Sequence, residues 1–183
     1  MALLHTPEKD ESFTAPDFAL TNIDDQTLSL SDIKGEKGTV LAFICNHCPY
    51  VHAIIDRLVV DAKTLQDEGF GFAAIMSNDT INYPQDSFEN MKIFAQDNNF
   101  TFPYLIDETQ DIAKAYDAVC TPDIFGFNTG NILKYRGRLD SSGPNPADEN
   151  TVKELLNAMR DISQTGQSNA KQFSSMGCSI KWK

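Results

Sequence analysis

The chain has 183 residues, 41% hydrophobic and 22% charged, enough apolar material for one domain with a sizeable core and too much for a disordered chain. Lys plus Arg number 15 against 26 Asp plus Glu, a formal net charge of −11, which repels phosphate backbones and anionic lipid and sets nucleic-acid and membrane-surface roles aside. Met1 to Leu4 is a short apolar stub broken by His5, Pro7, Glu8, Lys9 and Asp10, unlike an export signal, and no run approaches a membrane span. The expected compartment is therefore the cytoplasm, where thiols stay reduced.

In chain order, residues 1–12 are polar and expected to be a flexible arm, 13–166 a domain, and 167–183 a C-terminal arm that packs on it. Asp17 to Leu20 and Thr27 to Leu30 predict two short strands joined through Asn22 to Gln26, a hairpin. Ser31 or Asp32 would cap a short helical turn ending at Gly35. Thr39 to Ile44 is a continuous apolar run of strand length, the pattern of a strand covered on both faces. From Pro49 to about Glu68 the apolar residues recur at helical spacing, and Gly69 ends the helix. Phe70 to Met76 is a second buried strand, completing a βαβ unit.

Asp86-Ser87-Phe88-Glu89 has the pattern of a capping box and predicts a helix closing near Asn98-Asn99. Phe102 to Ile106 predicts a short strand and Gln110 to Tyr116 a short helix. Asp123 to Phe127 and Ile132 to Arg136 flank Asn128-Thr129-Gly130-Asn131, the clearest hairpin in the chain. Asn150 would cap a last helix that stops at Gly166. One mixed sheet with helices on both sides accommodates this order.

The chemistry centres on Cys45-Asn46-His47-Cys48. Cys45 follows the apolar strand and Cys48 falls in the first turn of the next helix, and a cytosolic C-x-x-C beside a βαβ unit is a redox motif. Unpaired N–H groups and the positive dipole end of a helix favour thiolate over thiol, taking a reference pKa of about 8.5 down to roughly 3.5–7.5 in sites of this kind. Cys45 is expected as the nucleophile and Cys48 as the resolving thiol, one turn behind it. His47, if protonated, adds positive charge near Cys45; solvent exposure accounts for it equally well. Pro49 is tolerated in a first helical turn. His52 has helical spacing from Cys48, although an ordinary helix histidine explains it as well. Thr121-Pro122 opens the strand of the last hairpin, a position that tolerates proline, and a cis bond there would set backbone groups beside the cysteine pair. Cys120 and Cys178 are possible auxiliary thiols. Core packing is the alternative for Cys120, and for Cys178 it is an arm anchored by Ile180 and Trp182. Asn78 and Asp79 follow a strand end, where ligands bind in α/β folds, or else serve a turn.

These residues resemble the thioredoxin superfamily. Ala15-Pro16-Asp17-Phe18, Leu28 to Gly35 and the apolar strand running into Cys45-Asn46-His47-Cys48-Pro49 are similar to its peroxiredoxin-like branch (alkyl-hydroperoxide-reductase/thiol-specific-antioxidant, or redoxin). Ser77-Asn78-Asp79, Tyr83 to Ser87, Phe102 to Leu105, Cys120 to Asp123, Tyr135 to Arg138 and Gly177 to Trp182 resemble the bacterial "peroxiredoxin-like 1" group. The resemblance spans Ala15 to Lys183. It implies an α/β thioredoxin fold, a mixed central sheet flanked by helices, with an N-terminal β-hairpin extension, a C-terminal arm, and Pro122 as the cis proline. A peroxiredoxin carries Thr or Ser three residues before its peroxidatic cysteine. If Cys48 aligns there, Cys45 occupies the Thr position, and Arg57, Arg136 and Arg138 are the candidates for the family's activating arginine.

Three functions follow. The first is a thiol:disulfide oxidoreductase acting on a disulfide-bearing protein or small molecule and re-reduced by a cellular thiol such as thioredoxin or glutathione. The second is a thiol peroxidase passing through a sulfenic acid. The third is a carrier that binds Cu(I) or zinc through Cys45, Cys48 and His47 or His52. The first is favoured, with no cofactor, no resident metal, and a monomeric or homodimeric protein expected.

Overall fold

The computed structural model describes residues 3–168 and 170–183; positions 1, 2 and 169, which belong to the two expected arms, lie outside the described residues. A seven-stranded mixed sheet has the order β3-β2-β6-β5-β4-β8-β9. Its strands are β2 (Ala19–Asn22), β3 (Thr27–Ser29), β4 (Thr39–Phe43), β5 (Gly71–Met76), β6 (Tyr104–Ile106), β8 (Asp123–Phe127) and β9 (Leu133–Gly137). β4, β5 and β6 run parallel, while β2, β8 and β9 join their neighbours antiparallel. β1 (Leu3–His5), β10 (Met176–Ser179) and β7 (Cys120–Thr121) form a separate three-stranded antiparallel sheet with β10 in the middle.

The apolar run of β4 divides by strand alternation. Val40, Ala42 and Ile44 join one core with Leu58, Leu65, Met91, Leu155 and Met159, while Leu41 and Phe43 join the other with Ile75, Tyr116, Phe125 and Phe127. The first core lies under α3 (Ile55–Asp67), α4 (Phe88–Asp97) and α6 (Glu154–Thr165). The second lies under α1 (Leu30–Ile33), α5 (Asp111–Ala115) and the segment carrying Ala15 and Phe18. Burial on both faces is why this strand carries no polar alternation.

Several boundaries differ from expectation. The hairpin strands sit about two residues later than Asp17 would place the first, and α1 is capped by Ser29, whose backbone N–H and hydroxyl both reach Asp32. The helix expected from Pro49 to Glu68 is broken into α2 (Pro49–His52) and α3. At the break, Ile54 N–H bonds three residues back to Val51 O, and the Ala53 carbonyl accepts from Arg57 Nη1 at 3.1 Å. α6 begins after Lys153, not Asn150, because residues 148–151 close their own turn with Thr151 Oγ1 accepting from Asp148 N–H. It stops at Gly166, which takes the left-handed φ of 81°.

The N-terminal arm is not loose where it is described. Leu3–His5 pairs with β10, and Thr6 exchanges hydrogen bonds with Ser175. β10 in turn lies tightly on β7. A Cβ on Gly177 would stand 2.0 Å from Thr121 O, so only glycine lets the strand approach this closely. Further along, Lys181 N–H donates to Asn78 Oδ1 (2.9 Å), and Lys181 O accepts from Asp79 N–H (2.8 Å) and Gln110 Nε2 (2.8 Å). Ile180 is buried, whereas Trp182, expected as an anchor, is 44% exposed. Among the described residues no helix is long and apolar enough to cross a membrane. Gly177→Ala is expected to lower stability by about 1–3 kcal/mol, the usual cost of overpacking, and to make Cys178 reactive toward a thiol reagent; urea unfolding and thiol counting under native conditions measure the two effects.

Candidate active site

The loop after β4 holds Cys45 to Cys48 between the sheet and α2. The residue capping the helix is Cys48, with Pro49 in the first turn, where its missing N–H costs nothing. The Thr121–Pro122 peptide bond is cis, and Thr121 meets both cysteines. Cys45 Sγ lies 3.4 Å from Thr121 Oγ1, and Cys48 in its protonated form donates to Thr121 O at 3.1 Å.

A carboxylate absent from the sequence-based expectations organises the loop. Asp86 was expected to cap a helix; Ser87 does so instead, accepting from Asn90 N–H. Asp86 is fully buried, and its Oδ1 accepts from Asn46 N–H (2.8 Å) and His47 N–H (3.3 Å). Its Oδ2 takes Asn78 Nδ2 (2.8 Å) and His47 Nδ1 (2.7 Å). That contact fixes the imidazole with Nδ1 toward the acid, and the ring lies parallel to Tyr83. Cys45 Sγ, a ring nitrogen of His47 and a carboxylate oxygen of Asp86 all lie within 4.8 Å of one another. Asn46 is pinned as well, its side chain between Tyr104 OH and Gln85 O. The signal that could have found Asp86 is the absence of an acid from β4: a buried proton-handling group had to come from elsewhere in the chain.

The electrostatics distinguish the two cysteines. The hydrogen bond from Cys45 and those from Thr121 and from the Cys178 thiol and backbone N–H outweigh burial and hold Cys48 well below the usual thiol range, at about 4. Cys45 is pushed far up, because it supplies its proton to Cys48, is buried, and faces the Asp86 carboxylate. The anion of the pair therefore rests on Cys48.

The other expected residues divide. Cys178 joins the site, opposite Thr121 in the β10–β7 register. Cys120 is buried one residue before Thr121; its thiol donates to Pro122 O at 3.6 Å, and burial pushes its pKa up. His52 turns away: Nε2 lies 2.6 Å from Asn46 O and the ring packs edge-on against Phe94. Asn78 bridges Asp86 and the tail, and Asp79 serves a turn by accepting from Ile81 N–H. Each candidate arginine is engaged elsewhere: Arg57 with Asp140, Arg136 with Asp123, and Arg138 with Glu154.

In comparisons with known proteins, the AhpC/TSA family profile matches residues 13–137. A search of curated proteins finds no match. Among solved structures, an uncharacterized conserved protein from Geobacillus kaustophilus is 44% identical, with a TM-score of 0.93 over 100% of this chain and 97% of that one. A hypothetical protein from Sinorhizobium meliloti is 31% identical, with a TM-score of 0.91 over 98% of each chain. The thioredoxin domain of a thiol-disulfide oxidoreductase from Bacteroides vulgatus superposes at a TM-score of 0.59 and 17% identity, covering 70% of this chain and 89% of that one. At that identity the likeness speaks for the fold, and the mixed sheet is a thioredoxin fold.

The depressed pKa of Cys48 makes a directional prediction. Thiolate ultraviolet absorbance of the reduced protein is expected to persist through neutral pH and fall only as pH approaches about 4, and to be missing at neutral pH in Cys48→Ser. Because the unfolded thiol keeps its proton at higher pH, this group stabilises the fold above its unfolded pKa and loses that contribution as pH falls through the folded value.

Proposed function

The chain belongs to the AhpC/TSA family of thioredoxin-fold, thiol-dependent oxidoreductases, and we propose that it is a thiol:disulfide oxidoreductase working through Cys45 and Cys48. The observation that carries this reading is the cysteine pair itself: two buried thiols at the ends of one loop, both in contact with Thr121 beside the cis proline.

The geometry supports Cys48 as the attacking sulfur, the reverse of the order expected from the motif. Cys48 thiolate attacks one sulfur of a substrate disulfide, forming a mixed disulfide and expelling the other substrate sulfur as thiolate. Cys45 then loses its proton and attacks Cys48 Sγ. The second substrate sulfur leaves, and a Cys45–Cys48 disulfide remains. A cellular dithiol or glutathione-like thiol restores the pair in two exchanges. The Cys45 proton has an acceptor at hand in His47, whose ring Asp86 orients. The substrate class is a disulfide-bearing protein or small disulfide.

Peroxide reduction also fits the family, but the site supports it less. Cys45 and Thr121 stand about Cys48, and the three candidate arginines spend their hydrogen bonds on Asp140, Asp123, Glu154 and backbone carbonyls. For a metal carrier, His52 is committed to Asn46 O, and the Asp86 oxygens already accept four donors.

Dithiol-coupled reduction of insulin disulfides is the test. Wild type is expected to turn over and Cys48→Ser to be inactive, while Cys45→Ser, which lacks the thiol that closes the first disulfide, should turn over more slowly than wild type. His47→Gln should slow the resolving step by ~10²-fold or more, the range of a general base. Unchanged turnover in both cysteine variants would sink the proposal.

A further inference from the structure

Cys178 is a buried thiol that the two-cysteine cycle leaves unused. It stands directly opposite Thr121 in the antiparallel β10–β7 pairing, and Thr121 is the residue that both Cys45 and Cys48 contact. Opposite residues in such a pair project to the same face. Cys45, Cys48 and Cys178 accordingly belong to one packed cluster of buried residues. The approach is built into the backbone, since a side chain at Gly177 would collide with Thr121 O. The strand is also tied to the site from its far end, where Lys181 N–H binds the Asn78 side chain that donates to Asp86.

From this juxtaposition of three cysteines around Thr121 we infer that Cys178 is a third redox cysteine, which takes over the Cys45–Cys48 disulfide as a Cys48–Cys178 disulfide. The step is an internal exchange with no net oxidation. Cys178 as thiolate attacks Cys48 Sγ; the Cys48–Cys178 bond forms, the Cys45–Cys48 bond breaks, and the electron pair leaves on Cys45 Sγ. The proton given up by Cys178 ends on Cys45. The disulfide then joins the C-terminal strand to the body of the protein, and the cellular thiol that reduces it acts on the tail cysteine. The inference deepens the oxidoreductase reading and rests on it.

The test has two arms. Cys45→Ser is oxidised with one equivalent of diamide, which takes two electrons and two protons from a pair of thiols, and peptides are mapped by mass spectrometry without reduction. A Cys48–Cys178 link within one chain is expected; Cys48 left reduced, or linked to Cys120 or to a second molecule, overturns the relay. In the second arm, wild type and Cys178→Ser are compared in the insulin assay, and wild type is mapped after a single oxidation. Supporting results are a mixture of Cys45–Cys48 and Cys48–Cys178 links in wild type, and a several-fold slower reductive half-cycle in Cys178→Ser. Wild type that turns over with only the Cys45–Cys48 link, and is matched by Cys178→Ser, removes the relay and leaves the oxidoreductase standing. Wild type that forms the links but reduces no disulfide removes the oxidoreductase reading instead.

Discussion

A carboxylate with no exposed surface accepts four hydrogen bonds at the end of the central sheet, and the site takes its shape from it. Burying an ionised carboxylate is costly unless its lone pairs are filled. Asp86 meets that requirement with two backbone N–H groups of the cysteine loop, the imidazole of His47 and the amide of Asn78. The same bonds settle three things at once. They hold the loop between Cys45 and Cys48 in one conformation, they aim the histidine, and through Asn78 they tie the loop to the tail at Lys181. The negative charge near Cys45 also helps decide which sulfur keeps the proton.

The parts of this arrangement that were legible in sequence are the local ones. The uninterrupted apolar run of β4, the Asn128 to Asn131 turn and the C-x-x-C after a buried strand each carry their information within a few residues. Asp86 is not legible because its neighbourhood matches a helix start: with Glu89 three residues on, it satisfies a capping pattern, while its loop partners Asn46 and His47 lie 40 and 39 positions earlier. The helix entrance, by contrast, is legible because its signal is local: the motif places Cys48 in the first helical turn, and Cys48 is the residue that caps α2. The tail is expected from sequence to pack on the domain, but its strand pairing is not legible there: β1 and β10 are three and four residues long, and they pair with each other from opposite ends of the chain.

The three arginines show how ion pairing shapes the chemistry. Arg136 lies within a buried pair with Asp123, immediately after the cis proline, and stacks on Phe125. Removing either member would leave an uncompensated buried charge, so the guanidinium is held to a structural task on the far side of β8. Arg57 is held likewise by Asp140 and the Gly143 carbonyl. The positive influence on Cys48 comes instead from neutral donors, each weaker than a guanidinium but short-ranged and fixed in direction. Such a set favours a thiolate without drawing a second anion toward it, as suits exchange between sulfurs better than activation of a peroxide.

Both sulfurs are nevertheless shut away, with Cys45 1% and Cys48 0% exposed, and β10 lies over the helix that follows them. In the proposed cycle an external disulfide reaches Cys48 once the C-terminal strand lifts, and two features bear on that movement. The strand is held by backbone pairs and polar contacts at Lys181, which water can replace, and by the buried side chains of Cys178 and Ile180, which it cannot. Further, the donors that Cys48 loses when Cys178 departs are exchanged for solvent, while those from Cys45 and Thr121 stay with the body of the protein. The thiolate is thus solvated on both sides of the motion, by the protein when the strand is down and by protein and water together when it is up. What changes between the two is access, and whether a third sulfur is within reach.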